Sequence, residues 1–238
     1  MNYVVSDIHG CYDKYKELLK TIDFGERDVL YVLGDVIDRG SEGFQILLDM
    51  AQQPNVIGLM GNHEAMAIDA ISKILISGEQ GRKLNFNKAA MGALGCWFYN
   101  GGEVSLMDFL ALNEEQMQTV WEYMKKLPLY KEITVGDKQF VLVHGGLEKF
   151  SLTKPLESYK ANEILWYRPT LETEYYSDKC TIFGHTPVQL LTNSNETDTD
   201  TPAKIYHNKN WIAIDCGCVF SGGKLGCLCL DTMEEFYV

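Results

Sequence analysis

The sequence has few features of a membrane protein, a secreted protein or a nucleic-acid-binding protein. No apolar run approaches the ~20 residues that a membrane helix requires. The chain enters an apolar run at Tyr3 without a basic segment or a signal-peptide core, so we expect no secretory signal. The 21 basic residues are outnumbered by 33 acidic ones, giving a net charge of -12. Without a membrane helix or a secretory signal, we expect a cytoplasmic protein with no membrane as partner. Because binding to a nucleic-acid duplex needs a basic surface, we expect no duplex as partner either.

Histidine is also scarce, but its positions are informative. Four of the five histidines lie in short motifs rich in residues that bind metals or phosphate. These motifs, with a fifth that lacks histidine, are Asp7-Ile8-His9-Gly10, Gly34-Asp35-Val36-Ile37-Asp38-Arg39-Gly40, Gly61-Asn62-His63-Glu64, His144-Gly145-Gly146 and Gly184-His185-Thr186-Pro187. Asp, Asn and His side chains spread over five loops are what a hydrolytic site with two metal ions requires. The fifth histidine, His207, has no such motif and is interpreted as a surface or core residue.

Apolar runs alternate with amphipathic segments, which predicts an α/β fold. The predicted buried strands are Tyr3–Ser6, Val29–Leu33, Val56–Met60, Phe140–Val143, Cys180–Phe183 and Trp211–Asp215. Helical spacing of apolar residues predicts one helix around Tyr15–Ile22 and a second around Phe44–Ala51. Each motif begins where a strand ends, and open α/β sheets bind their ligands at that edge.

A mostly helical segment interrupts this alternation at about 65–126. Its predicted helices are Ala65–Ser77, Ala89–Asn100 and Asn113–Lys126. We interpret the segment as a helical cap inserted into a single domain that spans 1–238, because no Pro/Ser-rich linker separates it. Residues 193–202 are polar and are predicted to form a solvated loop.

The types of the candidate ligands indicate a class of metal. Asp7 and His9 are two residues apart at a strand end, so both side chains can bind one ion. Asp35 closes the second strand, where its carboxylate could bridge two ions. Carboxylate, amide and imidazole ligands together suit Mn²⁺, Fe²⁺ or Zn²⁺ better than Ca²⁺.

These five motifs resemble those of the calcineurin-like metallophosphoesterases. Within that superfamily, the chain is most similar to the bacterial and phage-type serine/threonine protein phosphatases. Further segments support the narrower resemblance: Trp97-x-x-Asn100-Gly101-Gly102, Leu165-Trp166-Tyr167-Arg168 and Ile214-Asp215-x-Gly217-x-Val219-Phe220. The resemblance implies a four-layer sandwich with two central mixed β-sheets flanked by helices.

The resemblance also assigns roles to individual residues. One metal ion would be held by Asp7, His9 and Asp35, and the second by Asp35, Asn62, His144 and His185. His63 would be the general acid, oriented by Asp38, and Arg39 and Arg168 would bind the phosphate oxygens. The implied cofactors are two divalent ions, with manganese favoured and iron or zinc as alternatives. The implied reaction is direct in-line attack by metal-activated hydroxide on a phosphoprotein or a small phosphoester, without a covalent phosphoenzyme.

Three functions are compatible with these motifs. The first is a serine/threonine or dual-specificity protein phosphatase, and the second is a symmetrical bis(5'-nucleosyl)-tetraphosphate hydrolase, a related branch. Glu64 after His63 and Gly145-Gly146 after His144 favour the first, by resemblance. The third is a scaffold of the same fold without catalysis, which is disfavoured because His63 and every expected ligand are present.

Two groups of residues outside the motifs leave alternatives open. Cys216, Cys218, Cys227 and Cys229 flank a predicted hairpin turn, in which Cys218 would face Cys227 and Cys216 would face Cys229. Such a hairpin could hold zinc or a redox pair, but small core residues are the favoured interpretation. Residues 97–99, a run of three aromatic side chains, could line the substrate entry or form the core of the cap.

Overall fold

The first strand, β1 (Asn2–Val5), contributes to two hydrophobic cores. The computed structural model describes residues 1–78, 81–192 and 203–238. Tyr3 and Val5 pack into one core, whereas Val4, on the opposite face, packs into the other. Because side chains alternate between the two faces of a strand, this pattern places the first sheet between two apolar layers.

The first sheet has five strands in the order β12-β11-β1-β2-β3. Besides β1, they are β2 (Val29–Val32), β3 (Val56–Gly58), β11 (Gly226–Cys229) and β12 (Glu235–Tyr237). The strands β1, β2 and β3 are parallel, whereas β11 runs antiparallel to β1 and β12 antiparallel to β11. The sheet is therefore mixed, and the ends of its three parallel strands meet at one edge.

The second sheet also has five strands, in the order β6-β7-β8-β10-β9. Its strands are β6 (Tyr130–Val135), β7 (Lys138–Val143), β8 (Cys180–Phe183), β9 (Tyr206–His207) and β10 (Trp211–Ala213). Here β7, β8 and β10 are parallel, and β6 and β9 are antiparallel edge strands. Val4 and Tyr31 of the first sheet share a core with Leu142, Ile182 and Ile212 of the second, so the two sheets pack face to face.

Helices cover the outer sides of this pair of sheets. The longer ones are α1 (Tyr12–Thr21), α2 (Gly43–Gln52), α3 (Asn62–Ile74), α4 (Lys88–Tyr99), α5 (Glu103–Ala111) and α6 (Glu114–Lys125). Two short helices, α7 (Ala161–Leu165) and α8 (Val188–Thr192), lie between strands of the second sheet along the chain. The predicted architecture of two mixed sheets flanked by helices is confirmed.

The predicted helical segment differs in detail from the structure. Its first helix, α3, begins at Asn62 rather than near residue 65, so the segment starts inside a predicted site motif. The structure adds α5, which the sequence did not predict, and a two-stranded sheet of β4 (Leu75–Gly78) and β5 (Gly81–Leu84). Buried side chains of α4, α5 and α6 belong to the same core as α1 and α2. That the chain forms one domain stays a prediction.

The predicted cysteine hairpin is wrong. Cys227 on β11 is aligned with Val5 of β1 on one side and with Phe236 of β12 on the other. Cys216 and Cys218 lie in the connection after β10, which belongs to the second sheet. The two cysteine pairs therefore do not face each other across a turn. All four side chains are buried apolar groups, with Cys216 in the core between the sheets and the other three in the helix-side core.

Two further sequence-based predictions concern membranes and the polar loop. No helix within the described ranges combines the length and apolar character needed to cross a bilayer. The predicted solvated loop at 193–202 lies outside the described residues.

Candidate active site

The predicted site residues lie on loops that follow parallel strands of both sheets. In the first sheet these loops follow β1, β2 and β3, and in the second they follow β7 and β8. The side chains of Asp7, His9, Asp35, Asn62, His63, His144 and His185 are all at most 6% exposed. Residues from five distant stretches of sequence therefore lie together at one buried edge between the two sheets.

The backbone of these loops has an unusual conformation at the predicted site residues. Six of them have positive φ angles between 48° and 73°: Asp7, His9, Asp35, Asp38, Arg39 and His185. Residues with side chains rarely adopt this left-handed region, and such strain concentrates at functional sites, where surrounding contacts enforce it.

A close approach of two loops explains why glycine occupies positions 34 and 61. Gly34 has a φ of 84°, and a Cβ atom there would lie 2.5 Å from the backbone of Gly61. A side chain at either position would push the loop after β2 away from the loop after β3. These two glycines therefore set the separation between Asp35 and the start of α3.

Glu64 holds the same two loops together. Its Oε2 accepts hydrogen bonds from the backbone N–H groups of Asp35 (2.9 Å) and Gly61 (3.0 Å). Its Oε1 accepts from Val36 (2.8 Å) and Ile37 (3.3 Å). Glu64 is fully buried. Because both carboxylate oxygens accept from backbone N–H groups, Glu64 supports the two loops.

Two groups of side chains are arranged so that each could hold a metal ion. One consists of His9, Asp35 and His63, and the other of Asp35, His144 and His185, with the ligand atoms of each group within 4.8 Å of one another. Asp35 belongs to both, which is the geometry of a bridging carboxylate. Asn62 lies at the second group, because its Oδ1 is 2.9 Å from His144 Nε2.

Imidazole orientation within these groups suits metal binding. Nδ1 of His9 is 2.9 Å from the carbonyl oxygen of Ile37, and Nδ1 of His144 is 2.7 Å from that of Leu33. A histidine that donates from Nδ1 to a carbonyl presents the Nε2 lone pair, which is the usual arrangement around a ligating imidazole. The Nε2 atom of His185 is buried and has no hydrogen-bond partner among the described residues. A metal ion would satisfy this atom.

Asp7 lies outside both groups. Its Oδ2 accepts a hydrogen bond from the backbone N–H of His185 (2.9 Å) and another from the Ser6 hydroxyl. A side chain at Gly184 would collide with this carboxylate, so glycine is required beside it. Asp7 thus connects the loop after β1 to the loop after β8. Its assignment as a metal ligand stays a prediction.

His63 is paired with Asp38 at the edge of the first group. The His63 Nδ1 atom is 2.6 Å from Asp38 Oδ2, and both side chains are essentially buried. The backbone N–H of His63 donates to Asp35 Oδ1 at 3.1 Å, which fixes the start of α3 against the shared carboxylate. The predicted pair of an imidazole and an orienting carboxylate is therefore present beside the candidate ligands.

The two predicted phosphate-binding arginines reach different parts of the site. The guanidinium of Arg39 contacts His9 Nε2, lies 3.2 Å from His63 Nε2 and stacks 5.6 Å from the ring centre of Phe220. His9 could bind a metal ion through Nε2 only after this guanidinium has moved from that atom. Arg168 Nη1 donates instead to the backbone oxygen of His185 (2.8 Å) and to Thr186 Oγ1 (3.0 Å).

Comparison with known proteins identifies this arrangement. The Calcineurin-like phosphoesterase family matches residues 3–220, which include every candidate ligand. The chain belongs to this family. The protein is accordingly a metallophosphoesterase, a hydrolytic enzyme whose family implies a dinuclear centre of divalent metal ions, and its two His/Asp groups fit such a centre.

Similar proteins are named for two kinds of phosphoester substrate. The metallophosphoesterase is 29% identical to "Serine/threonine-protein phosphatase 2" of Salmonella typhimurium over 213 residues, covering 84% of this chain and 86% of that protein. It is 42% identical over 64 residues to the symmetrical bis(5'-nucleosyl)-tetraphosphatase of Delftia acidovorans, covering 26% of this chain and 23% of that protein. A solved structure titled as a proposed diadenosine tetraphosphatase has the same fold, with a TM-score of 0.67 at 16% identity, covering all of this chain and 92% of that one.

The electrostatics of the metallophosphoesterase site separate its imidazoles into two kinds. Burial, together with Arg39 and His63, lowers the pKa of His9 to about 3 even though Asp35 opposes this shift. Burial and the neighbouring His144 likewise lower the pKa of His185. Burial also disfavours charge on His144 and His63, but nearby carboxylates together outweigh it, Asp35 and Asp7 at His144 and Asp35 and Asp38 at His63. Both pKa values are raised, that of His144 to about 9. His9 and His185 are therefore neutral and ready to bind a cation, whereas His144 and His63 hold protons beside Asp35.

Three contributors to the site were not predicted from the sequence. Trp97 and Ser105, on α4 and α5, form hydrogen bonds to the side chain and the backbone of Asp38, respectively. Asp215 is a buried carboxylate after β10, and its pKa is raised by burial and by Asp7. The Trp97 motif and Asp215 carried a resemblance in the sequence, but no local pattern indicated what they contact.

Proposed function

We propose that this metallophosphoesterase is a serine/threonine protein phosphatase. The observation that supports the proposal best is a buried His63–Asp38 pair next to Asp35, the carboxylate that the two metal-binding groups share. Such a pair supplies the proton that an alkoxide leaving group needs, because the hydroxyl groups of serine and threonine are poor leaving groups without protonation. The relative named as a serine/threonine phosphatase aligns with most of this chain.

The metal centre in this proposal uses the predicted ligands. Asp7, His9 and Asp35 would hold one ion, and Asp35, Asn62, His144 and His185 the other. Divalent ions bound there lower the pKa of water and stabilise negative charge on phosphoryl oxygens. The ligand set mixes carboxylate, amide and imidazole, which suits Mn²⁺, Fe²⁺ or Zn²⁺. Among these metals we propose manganese, which the family resemblance favours. The neutral His9 and His185, and the unpaired Nε2 of His185, fit this role.

The protein's own side chains then position the substrate and move one proton. Arg39 can exchange its contact with His9 for a contact with a phosphoryl oxygen. Its guanidinium already lies in the site, with one terminal nitrogen at His9 and the other at His63. Arg168 would contact the phosphoryl group from the side of His185. His63 donates its Nε2 proton to the leaving oxygen, while Asp38 holds the Nδ1 proton and stabilises the charged imidazole.

The charge of the site favours a phosphomonoester over a dinucleoside tetraphosphate. A tetraphosphate chain carries about four negative charges, which must be balanced by local cations in a protein whose net charge is -12. Two arginines, Arg39 and Arg168, contact residues of the metal-binding groups. Two arginines, in addition to the two proposed metal ions, suit a single phosphoryl group. The alternative, symmetrical bis(5'-nucleosyl)-tetraphosphate hydrolysis, is supported by the 64-residue match and the structural likeness.

The decisive experiment compares the two substrates directly. We would measure kcat/KM for a phosphothreonine peptide and for diadenosine tetraphosphate, with Mn²⁺ supplied and with a chelator as control. We expect a preference for the peptide that disappears on chelation. In the variant His63→Asn, kcat for the peptide should fall by about 10²- to 10⁴-fold with metal content unchanged, whereas His207→Asn should have no effect. A preference for the dinucleotide would instead support the alternative.

A further inference from the structure

We propose that Trp97 and Ser105 are positioning residues for the reaction, through which the helical segment 62–125 sets the orientation of the general acid. The inference rests on the proposed role of His63. It assigns a function to Trp97, which the sequence associated with the family resemblance and, together with residues 98 and 99, with either the substrate entry or the core of the cap. Neither side chain is placed to touch substrate, because both are at most 1% exposed.

Trp97 binds the carboxylate of Asp38 directly. Its indole N–H lies 2.9 Å from Oδ1 and 2.8 Å from Oδ2, and Oδ2 is also the atom that pairs with His63. Trp97 and Asp38 are both 0% exposed, so no water competes for these contacts. A buried carboxylate between one imidazole and one indole has a single low-energy orientation, because each donor restricts its rotation.

Ser105 fixes the backbone of the same residue. The backbone N–H of Asp38 donates to Ser105 Oγ at 2.8 Å. The N–H of the next residue, Arg39, donates to the backbone oxygen of Gly101 at 3.0 Å. Both Asp38 and Arg39 have left-handed backbone conformations, with φ angles of 73° and 69°. Contacts from α4 and α5 therefore hold the two strained residues that orient the acid and carry the guanidinium.

The turn between α4 and α5 is shaped to present the indole. Gly102 packs so closely against the Trp97 ring that a Cβ atom at position 102 would overlap it. Gly101 adopts a φ of 95°, and a Cβ atom there would lie 3.0 Å from the Arg39 side chain. Tyr99, by contrast, is 92% exposed and makes no contribution to this packing. The two glycines thus allow both the indole and the Gly101 carbonyl to reach the loop after β2.

An indole serves this purpose because it donates one hydrogen bond without adding charge. A lysine or arginine next to Asp38 would neutralise the carboxylate and weaken its hold on His63, whereas the indole leaves the negative charge available. Removing the N–H should leave Asp38 free to rotate away from His63. The loss of activity should then be confined to substrates whose leaving group must be protonated.

The test measures leaving-group dependence in the metal-loaded enzyme. For Trp97→Phe, we expect kcat on a phosphothreonine peptide to fall by about 10- to 100-fold, a part of the contribution of a general acid. On p-nitrophenyl phosphate, whose leaving group needs no proton, kcat should fall by less than about threefold. Trp121→Phe is the matched control, since Trp121 lies on α6, is half-buried and contacts Lys125 instead. It should leave both rates unchanged.

Ser105→Ala keeps the inference testable if Trp97→Phe folds poorly, and a double variant tests the route of the effect if it folds well. Ser105→Ala should show the same selective loss to a smaller degree. In an Asp38→Asn background, Trp97→Phe should add less than a twofold effect, because its only route to the reaction has been removed. Equal losses on both substrates, or full additivity with Asp38→Asn, would show that Trp97 acts only through stability. If the wild-type enzyme hydrolyses neither monoester, the proposed function itself has failed.

Discussion

At the scale of single residues, Asp35 determines the charge of the site more than any other side chain. It belongs to both metal-binding groups and lies near His63 and His144. Burial alone would raise the pKa of Asp35, but His144 and His63 outweigh it and hold that pKa well below its ordinary value. In the metal-free protein, His144 and His63 are thus protonated next to the ionised carboxylate of Asp35. These protons lie where metal ions would bind.

This arrangement predicts that metal binding depends on pH through His144. Its pKa of about 9 means that the metal-free protein retains a proton there, which a metal ion must displace. Apparent metal affinity should therefore rise on the order of tenfold per pH unit toward pH 9 and level off above it. His9 and His185 are already neutral and release no proton. Mn²⁺ titrations in competition with a chelator, at several pH values, would measure the slope.

The same group sets the sign of a stability effect. Because the folded-state pKa of His144 lies above its ordinary value of 6.5, its contribution to the stability of the metal-free protein is complete below pH 6.5. That contribution is lost as the pH rises through about 9. The variant His207→Asn, which removes an exposed partner of Glu235, serves as a control. It should change neither the pH dependence of metal affinity nor the pH dependence of stability. An affinity that stays flat between pH 7 and 8.5 would contradict the role of His144.

Residue types could be predicted from the sequence more readily than their contacts. The motifs placed Asp35, His63 and His144 at strand ends, and the structure brings them together there. The contact between Trp97 and Asp38 spans 59 positions in the chain, so no local pattern encodes it. For Arg168, the spacing predicted a phosphate contact but not that its Nη1 atom donates to the His185 carbonyl. Such choices depend on side-chain packing that spacing alone does not determine.

At the scale of secondary-structure elements, the site depends on how closely the loops after β2 and β3 approach. For Gly34→Ala, two costs add, because the residue has a positive φ and its Cβ would overlap the Gly61 backbone. Gly136→Ala is a matched control, since Gly136 also has a positive φ, 61°, but a Cβ atom there would meet no other described residue within 4 Å. The control should cost about 1–2 kcal/mol of unfolding free energy from backbone strain.

Gly34→Ala should cost more than this control and should also reduce metal binding. The added methyl group displaces Asp35 relative to α3, and the hydrogen bonds of Glu64 to both loops are lengthened. Urea unfolding of both variants, with metal content measured in parallel, would separate strain from displacement. Equal destabilisation of the two variants would show that the loop contact carries no energetic weight.

Elements with strong apolar runs were predicted well, and those whose pairing depends on distant partners were not. Cys180–Phe183 matches β8 as predicted, because a buried parallel strand is a continuous apolar run. Cys227 and Cys229 also lie on a strand, but it pairs with β1 and β12 rather than with the preceding segment. A turn signal such as Ser221–Lys224 suggests a hairpin locally, whereas the segment before it follows β10 of the second sheet and the segment after it enters β11 of the first.

At the scale of the whole molecule, the candidate metal centre lies where the two sheets meet. Asp7, Asp35 and Asn62 follow strands of the first sheet, whereas His144 and His185 follow strands of the second. Asp7, Asp35, Asp38, Glu64 and Asp215 also place five buried carboxyl groups near this edge. Burial of so many acidic groups is costly unless cations accompany them. Ions bound between the sheets would therefore stabilise the fold as well as provide the chemistry.

Metal removal should accordingly lower the unfolding temperature. A ligand that binds only the folded state at about one hundred times its Kd adds about 2.7 kcal/mol per site. For a chain of this length, each kcal/mol shifts Tm by roughly 2–4 °C, so one occupied site should raise Tm by about 5–10 °C. Differential scanning calorimetry with chelator and with added Mn²⁺ would measure the shift.

The variant Asp35→Asn should abolish most of this Tm shift, because the shared ligand is weakened at both ions. The control Asp137→Asn, in an exposed turn, should keep the shift in full. An equal Mn²⁺ shift in wild type and Asp35→Asn would mean that the stabilising ions bind elsewhere. It would also remove the reason for treating the junction of the two sheets as the metal centre.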